Sequence, residues 1–209
     1  MSDETPAFGP IATHTAGDLL AALAAKQPVP GGGAAAGLVL ATAASLGSMV
    51  LRYSIGKKAF AAWNEELEQS LADCDRIRLD AVAAADADAV AYAGLSSLWK
   101  LAEDDPVRLE RWKPAVEAAI AAPRSAMGLA VALLATLEPL PGRTSRTIRS
   151  DLAIAAVLVD AGFRSAAWNV RVNLPLLGDQ QRETQESAAI EHALAEFRRR
   201  AEAIEARCR

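Results

Sequence analysis

The sequence predicts an all-α protein, a single-domain multi-helix bundle of about six helices, and three observations predict it. No run of β-branched alternation occurs anywhere in the 209 residues, whereas apolar residues recur at three- and four-residue steps over long stretches. Hydrophobic residues make up 52% of the chain but aromatics only 5%, much of the difference being alanine, which suits helices packed closely through small side chains. Short links marked by proline and glycine, such as Pro28–Gly33 and Pro139–Gly142, separate the periodic stretches.

The first helix is expected from about Thr15, a good N-cap with Asp18 in the first turn, to Lys26. The second is a small-residue stretch from Ala34 to Ser54, whose Gly37, Ala41, Ala44, Ser45 and Ser48 form a face that another backbone can approach. The third spans about Ala59 to Leu101, with Trp63, Leu67, Leu71, Cys74, Ala81, Ala85 and Tyr92 at helical spacing. The fourth covers about Pro106 to Leu137, and Pro123 is expected to break or kink it. The fifth begins near Ser150–Asp151 and ends before Pro175. The last, about Asp179 to Arg207, aligns Ile190, Leu194, Phe197, Ala201 and Ile204. Residues 1–209 thus read as one domain, with 1–12 expected to be flexible.

Net charge is −4, with a pI near 5.3, which argues against a nucleic-acid surface. Two cysteines, Cys74 and Cys208, are too few for a disulfide framework and fit a reducing, cytoplasmic setting. The opening residues have no basic segment of a secretory signal. Gln27–Leu51 is uncharged and long enough to span a bilayer, but it is mostly Gly, Ala, Ser, Thr and Pro; it reads as a buried helix, with no membrane partner. His14 and His192 stand far apart, and no metal-ligand spacing emerges.

The most informative segment is Pro28-Val-Pro-Gly31-Gly32-Gly33, leading into the small-residue helix and on to Gly56-Lys57-Lys58. Three glycines in a row cost backbone entropy, which is worthwhile where φ is positive or where a ligand must come close to the main chain. Unpaired amides at the start of a helix can hold a polar ligand. A plain turn between helices would use the same glycines. Neither the dinucleotide fingerprint nor the phosphate-loop motif fits: no strand precedes Pro28, and Leu38 stands where the latter needs lysine.

Asp86 is the first acid/base candidate, with Val82, Ala83, Ala89 and Val90 as helical neighbours; Asp88 has similar ones, Ala84, Ala85, Ala91 and Tyr92. Carboxylates on an apolar face either ion-pair or shift their pKa upward, as a general acid or base near neutral pH requires. Asp151, with Ser150, reads as a second acid/base candidate or as a helix N-cap. Asp160 and Arg164 read as a structural pair. Asn169 and Asn173 share a face near Pro175, to meet a heterocycle edge or to satisfy orphan carbonyls at the helix end, and Arg171 can clamp a carboxylate.

Taken in order, Pro28–Gly33, Ser48-Met49-Val50, Ile55–Lys58, Asp86, Pro123, Ser150–Asp151 and Asn169-Val-Arg-Val-Asn-Leu-Pro175 resemble the cyclodeaminase/cyclohydrolase family of folate enzymes. That family includes the C-terminal domain of formiminotransferase-cyclodeaminase and stand-alone methenyltetrahydrofolate cyclohydrolases. The resemblance covers nearly the whole chain and implies an all-α homodimer acting on a tetrahydrofolate derivative as substrate, with no permanently bound cofactor. The activity it implies is hydrolysis of 5,10-methenyltetrahydrofolate to 10-formyltetrahydrofolate, a lone domain having no transferase half to feed it formimino-folate. The alternatives are cyclodeamination with release of ammonia, and a non-catalytic helical dimer or folate-binding scaffold.

Mapped onto this chain, the resemblance implies proton transfer by Asp86 or Asp151. Gly31, Gly32, Gly33, Asn169 and Asn173 would hold the pterin. Lys57, Lys58 and Arg171 would hold the glutamate tail, and Ser48 and Ser150 complete the substrate site. The chain departs from the family at Ala34, often Ser there, and at Arg143, Arg146 and Arg149, where an Asn-rich approach is usual. These arginines also suit an anionic tail.

Overall fold

The computed structural model describes residues 9–209. Six helices follow one another: α1 (Ala16–Ala24), α2 (Gly32–Arg52), α3 (Asn64–Leu98), α4 (Pro106–Leu137), α5 (Arg149–Asn173) and α6 (Gln180–Arg207). No strand occurs among the described residues. Most of the segment expected to be flexible, 1–12, lies outside them; within them, Ile11 is buried.

Local chemistry sets the boundaries. Thr15 and Asp18 form a reciprocal capping box at the start of α1, worth about 1 kcal/mol. The α1 helix stops at Ala24, two residues short of the expected end, as the chain approaches Pro28. The expected start of the third helix at Ala59 is instead a 3-10 turn, Lys58–Trp63, and α3 begins at Asn64. The α5 helix begins at Arg149 with Ile148 as N-cap, so Ser150 and Asp151 sit in its first turn and neither caps it. Beyond Asn173 a 3-10 turn carries Pro175 and closes at Gly178, where φ is +69°.

Pro123 does not break α4, which runs through it. A proline inside a helix leaves the carbonyl four residues earlier without a donor. Here that carbonyl belongs to Ala119, and the side-chain Nδ2 of Asn173 donates to it at 2.9 Å. The missing main-chain bond is replaced from the neighbouring helix.

The α2 helix lies at the centre, packed between α3 and α5, with α4 against both of those and α6 on the outside of α5. Its small residues permit the close approach. A Cβ on Gly37 would come within 2.7 Å of the Ala81 carbonyl of α3, and one on Gly162 of α5 within 2.5 Å of Leu40. Ser45, expected on that face, turns outward and donates to Ala41 O; Gly47 is buried against Cys74 and Leu137 instead. The main core gathers Leu40, Leu51, Leu67, Ile77, Leu133, Leu137 and Leu152. Each contributes roughly 2 kcal/mol or more by burial. On α6, Ile190, Phe197, Ala201 and Ile204 are buried as the spacing predicts, and Phe197 stacks on Phe163 with centroids 4.1 Å apart.

By length and composition, α2 and α4 could each cross a membrane. In the structure α2 is the central helix of the bundle, fully burying Leu40, Val50 and Leu51.

Candidate active site

The Gln27–Gly31 loop, the start of α2, the middle of α3 and the end of α5 enclose a cavity of about 300 Å³. Gly31, at extended φ, is the N-cap of α2, and no side chain caps that end. The amides of the first turn therefore stay open to a ligand. None of Gly31, Gly32 and Gly33 has positive φ, so close approach is what they provide. At Gly33 a Cβ would sit 1.9 Å from Oδ2 of Asp88, so any side chain there displaces the carboxyl from its present place.

Asp88 is the carboxylate of this cavity. It is half-buried, and desolvation raises its pKa above the ordinary carboxylate value. Tyr92, one turn further along α3, adds a ring to the wall and is 39% exposed. From α5, Asn169 reaches Gly32, its Oδ1 3.5 Å from where a Cβ would stand. Asn173 lies one turn on, buried, its Nδ2 donating to Ala119 O and Asn169 O, both at 2.9 Å. Of the two roles expected for this pair, carbonyl satisfaction is thus filled by Asn173, while both residues line the cavity.

The remaining expected site residues lie elsewhere. Asp86 leaves α3 on the other side of the Gln27–Gly31 loop, accepts the Ile11 amide at 2.9 Å and lines a separate cavity of about 270 Å³ with Val29, Pro30 and Val90. Ser48 donates to Asp75, which also binds Arg52 at 2.6 Å. Burial pushes the Asp75 carboxyl up, but the bonds from Ser48 and Arg52 outweigh it and hold the pKa below the usual value. Arg171 pairs with Glu191 and lies over the Trp168 ring. Lys57, Lys58, Ser150 and Asp151 stand at the far end of the bundle. Asp151 is about 27 Å along α5 from Asn169, at about 1.5 Å per residue. The pairing of Asp160 with Arg164 is as expected, at 3.5 Å.

The sequence favours Asp86 and passes over Asp88, although the spacing carries a signal for the latter. Ala81, Ala85, Asp88 and Tyr92 follow four-, three- and four-residue steps along the stripe that faces the bundle, and Asp86 stands off it. Among the described residues no three His, Cys, Asp or Glu side chains cluster to hold a metal.

A carboxyl with raised proton affinity, open helix amides, a side-chain amide and an aromatic wall together make a cavity whose chemistry suits a planar, polar ligand and proton transfer. The sequence profile described as Formiminotransferase-cyclodeaminase matches residues 15–192. The chain therefore belongs to the formiminotransferase-cyclodeaminase family. It is 31% identical over 178 residues to the methenyltetrahydrofolate cyclohydrolase of Methylorubrum extorquens, covering 83% of this chain and 86% of that one. With the formimidoyltransferase-cyclodeaminase of Gallus gallus it shares 25% over 190 residues, 89% of this chain but only 35% of that protein. The fold matches the crystal structure of formiminotetrahydrofolate cyclodeaminase from Thermotoga maritima with a TM-score of 0.80, covering 93% of this chain and 96% of that one at 23% identity.

Proposed function

We propose that the protein is a methenyltetrahydrofolate cyclohydrolase of one-carbon metabolism, with the glycine-lined cavity as its active site and Asp88 as its proton-transfer group. The observation that carries this reading is the Asp88 carboxylate, half-buried and seated against Gly33 beside the open amides of α2. Similarity over most of a stand-alone cyclohydrolase supports the same reaction.

The substrate's 5,10-methenyl bridge is an amidinium cation, and an ionised Asp88 stabilises it by charge. Asp88 takes a proton from a water as its oxygen adds to the bridge carbon, giving a tetrahedral intermediate. The proton then goes to N5 as the carbon–N5 bond breaks and the hydroxyl returns its own proton to the Asp88 carboxylate, leaving the formyl group on N10 and releasing one net proton to solvent. The α2 amides and Asn169 hold the donor- and acceptor-rich pterin, and Tyr92 covers its face. The same carboxyl, protonated, is the general acid that cyclodeamination needs, so that reaction is the second reading.

Pairing of two copies is part of this proposal. Ile154, Val157, Trp168 and Val172 are exposed at helical spacing along α5, and Val172 reaches the cavity rim. Two α5 helices packed antiparallel through this stripe would bring one copy's Ser150, Asp151, Lys57 and Lys58 toward the other's cavity.

The test is spectroscopic. Purified protein is given 5,10-methenyltetrahydrofolate, and loss of the cation's near-ultraviolet band is followed above the buffer rate. A second cuvette, with 5-formiminotetrahydrofolate, is watched for gain of the same band. Loss in the first alone establishes the cyclohydrolase, gain with ammonia release in the second assigns the cyclodeaminase, and silence in both removes the enzyme reading.

A further inference from the structure

At the end of the bundle remote from the glycines a second cavity, of about 510 Å³, is lined by four arginines: Arg146, Arg149, Arg207 and Arg209. No Asp or Glu lines it. Its walls are held in place. The Ser145 amide donates to Ser54 Oγ at 2.9 Å, Thr144 Oγ1 donates to Leu140 O at 3.0 Å, and Arg207 donates to the carbonyls of Glu138 and Pro141 at 2.9 and 3.1 Å.

Most arginines at neighbouring positions have carboxylate partners. Arg143 pairs with Glu66 at 2.6 Å, and Arg200 with Glu138 at 2.7 Å. Arg146 and Arg149 make no ion pair with any described residue and remain exposed. Arg149 is moreover the first residue of α5, where the helix dipole is positive and a cation is unfavourable. Guanidinium groups cannot shed their charge, so the wall of this cavity stays positive and favours an anion. Lys57 and Lys58 precede Ala59 in the wall and add to the positive field.

We propose that this cavity is a binding site for a ligand bearing two or more oxyanion groups, carboxylate or phosphate, gripped by the Arg146 and Arg149 guanidiniums. Arginine is suited to both groups because its planar fork meets two oxygens at once. Two sources share this chemistry: a multiply glutamylated folate tail, which rests on the folate reading above, and a free phosphate-bearing molecule, which does not.

The experiment is a calorimetric titration of the full chain, and of the Arg146→Gln/Arg149→Gln double variant, with a γ-linked pentaglutamate peptide and separately with inorganic tripolyphosphate. Wild-type protein is expected to bind at least one probe, with affinity falling as salt rises and roughly ten-fold or more weaker in the double variant. Binding of the peptide alone assigns the glutamylated tail; binding of tripolyphosphate alone assigns the phosphate source. Binding of neither, or equal binding by the double variant, overturns the proposal. Both side chains are exposed, and thermal unfolding of the variant checks that it folds. Turnover of methenyl-folate by wild-type protein is read separately, so failure of the folate reading leaves the titration interpretable.

Discussion

At the scale of single residues, Asp88 and Gly33 form one unit: the glycine exists in order that the carboxylate can lie against the main chain. Gly33→Ala must push Asp88 aside, and turnover is expected to fall at least ~100-fold, as it should on losing a general acid or base. Asp88→Asn should do the same, whereas Asp86→Asn, which only loosens the hold on Ile11, should keep most of its turnover; steady-state kinetics on the three variants checks this order. Stability gives a separate readout. Because burial raises the Asp88 pKa, the folded state binds its proton more tightly than the unfolded chain. Ionising Asp88 therefore costs stability as pH rises from the unfolded value through the raised folded one. Asp88→Asn removes that loss, so its Tm should exceed wild type at neutral pH, with the gap closing toward pH 4. A gap independent of pH would show that Asp88 is not strained by its surroundings.

At the scale of elements, α4 and α5 are joined by a repair. Replacing Asn173 with Ala leaves the Ala119 carbonyl buried without a donor, at a cost of about 1–3 kcal/mol in denaturant unfolding. Restoring the main-chain N–H with Pro123→Ala should recover part of this, and a double-mutant cycle measures the coupling. The helices themselves were legible in the sequence because Pro, Gly and capping residues mark their ends and apolar spacing marks their faces. What could not be read was the partner of each interruption. Pro123 looked like a break because the donor that compensates for it lies 50 residues away, on a helix whose packing no local pattern records. The same limit hid Asp88, whose apolar neighbours matched those of Asp86 until the Gln27–Gly31 loop was seen to pass between the two.

At the scale of the whole molecule, the expected site residues divide between the two ends of α2, which is about 30 Å long. Gly31, Gly32, Gly33, Asn169 and Asn173 line one cavity at one end, while Lys57, Lys58, Ser150 and Asp151 lie toward the other. Order along the chain carries no information about this division, because α2 and α5 run antiparallel and fold distant positions together. Pairing of copies would unite the two ends, and Trp168 is 64% exposed in the stripe proposed to mediate it. Trp168→Glu is expected to shift the protein to monomer in analytical ultracentrifugation and to lower turnover with it. A variant that stays dimeric, or a wild-type protein that sediments as a monomer, would confine the site to one chain.

The bonds of Asn173 carry one more consequence. An amide nitrogen has two hydrogens, and both are committed to main-chain carbonyls, Ala119 O and Asn169 O. The side chain cannot rotate by half a turn without setting its oxygen against those carbonyls. Toward the cavity it is therefore an acceptor of fixed polarity. A ligand that presents an N–H or amino group there is expected to bind more tightly than an otherwise identical one with a carbonyl at the same place, a difference that calorimetry on the two analogues checks. In the proposed site, the residue that keeps a helix continuous across its proline would thereby sort substrate analogues by which edge they offer.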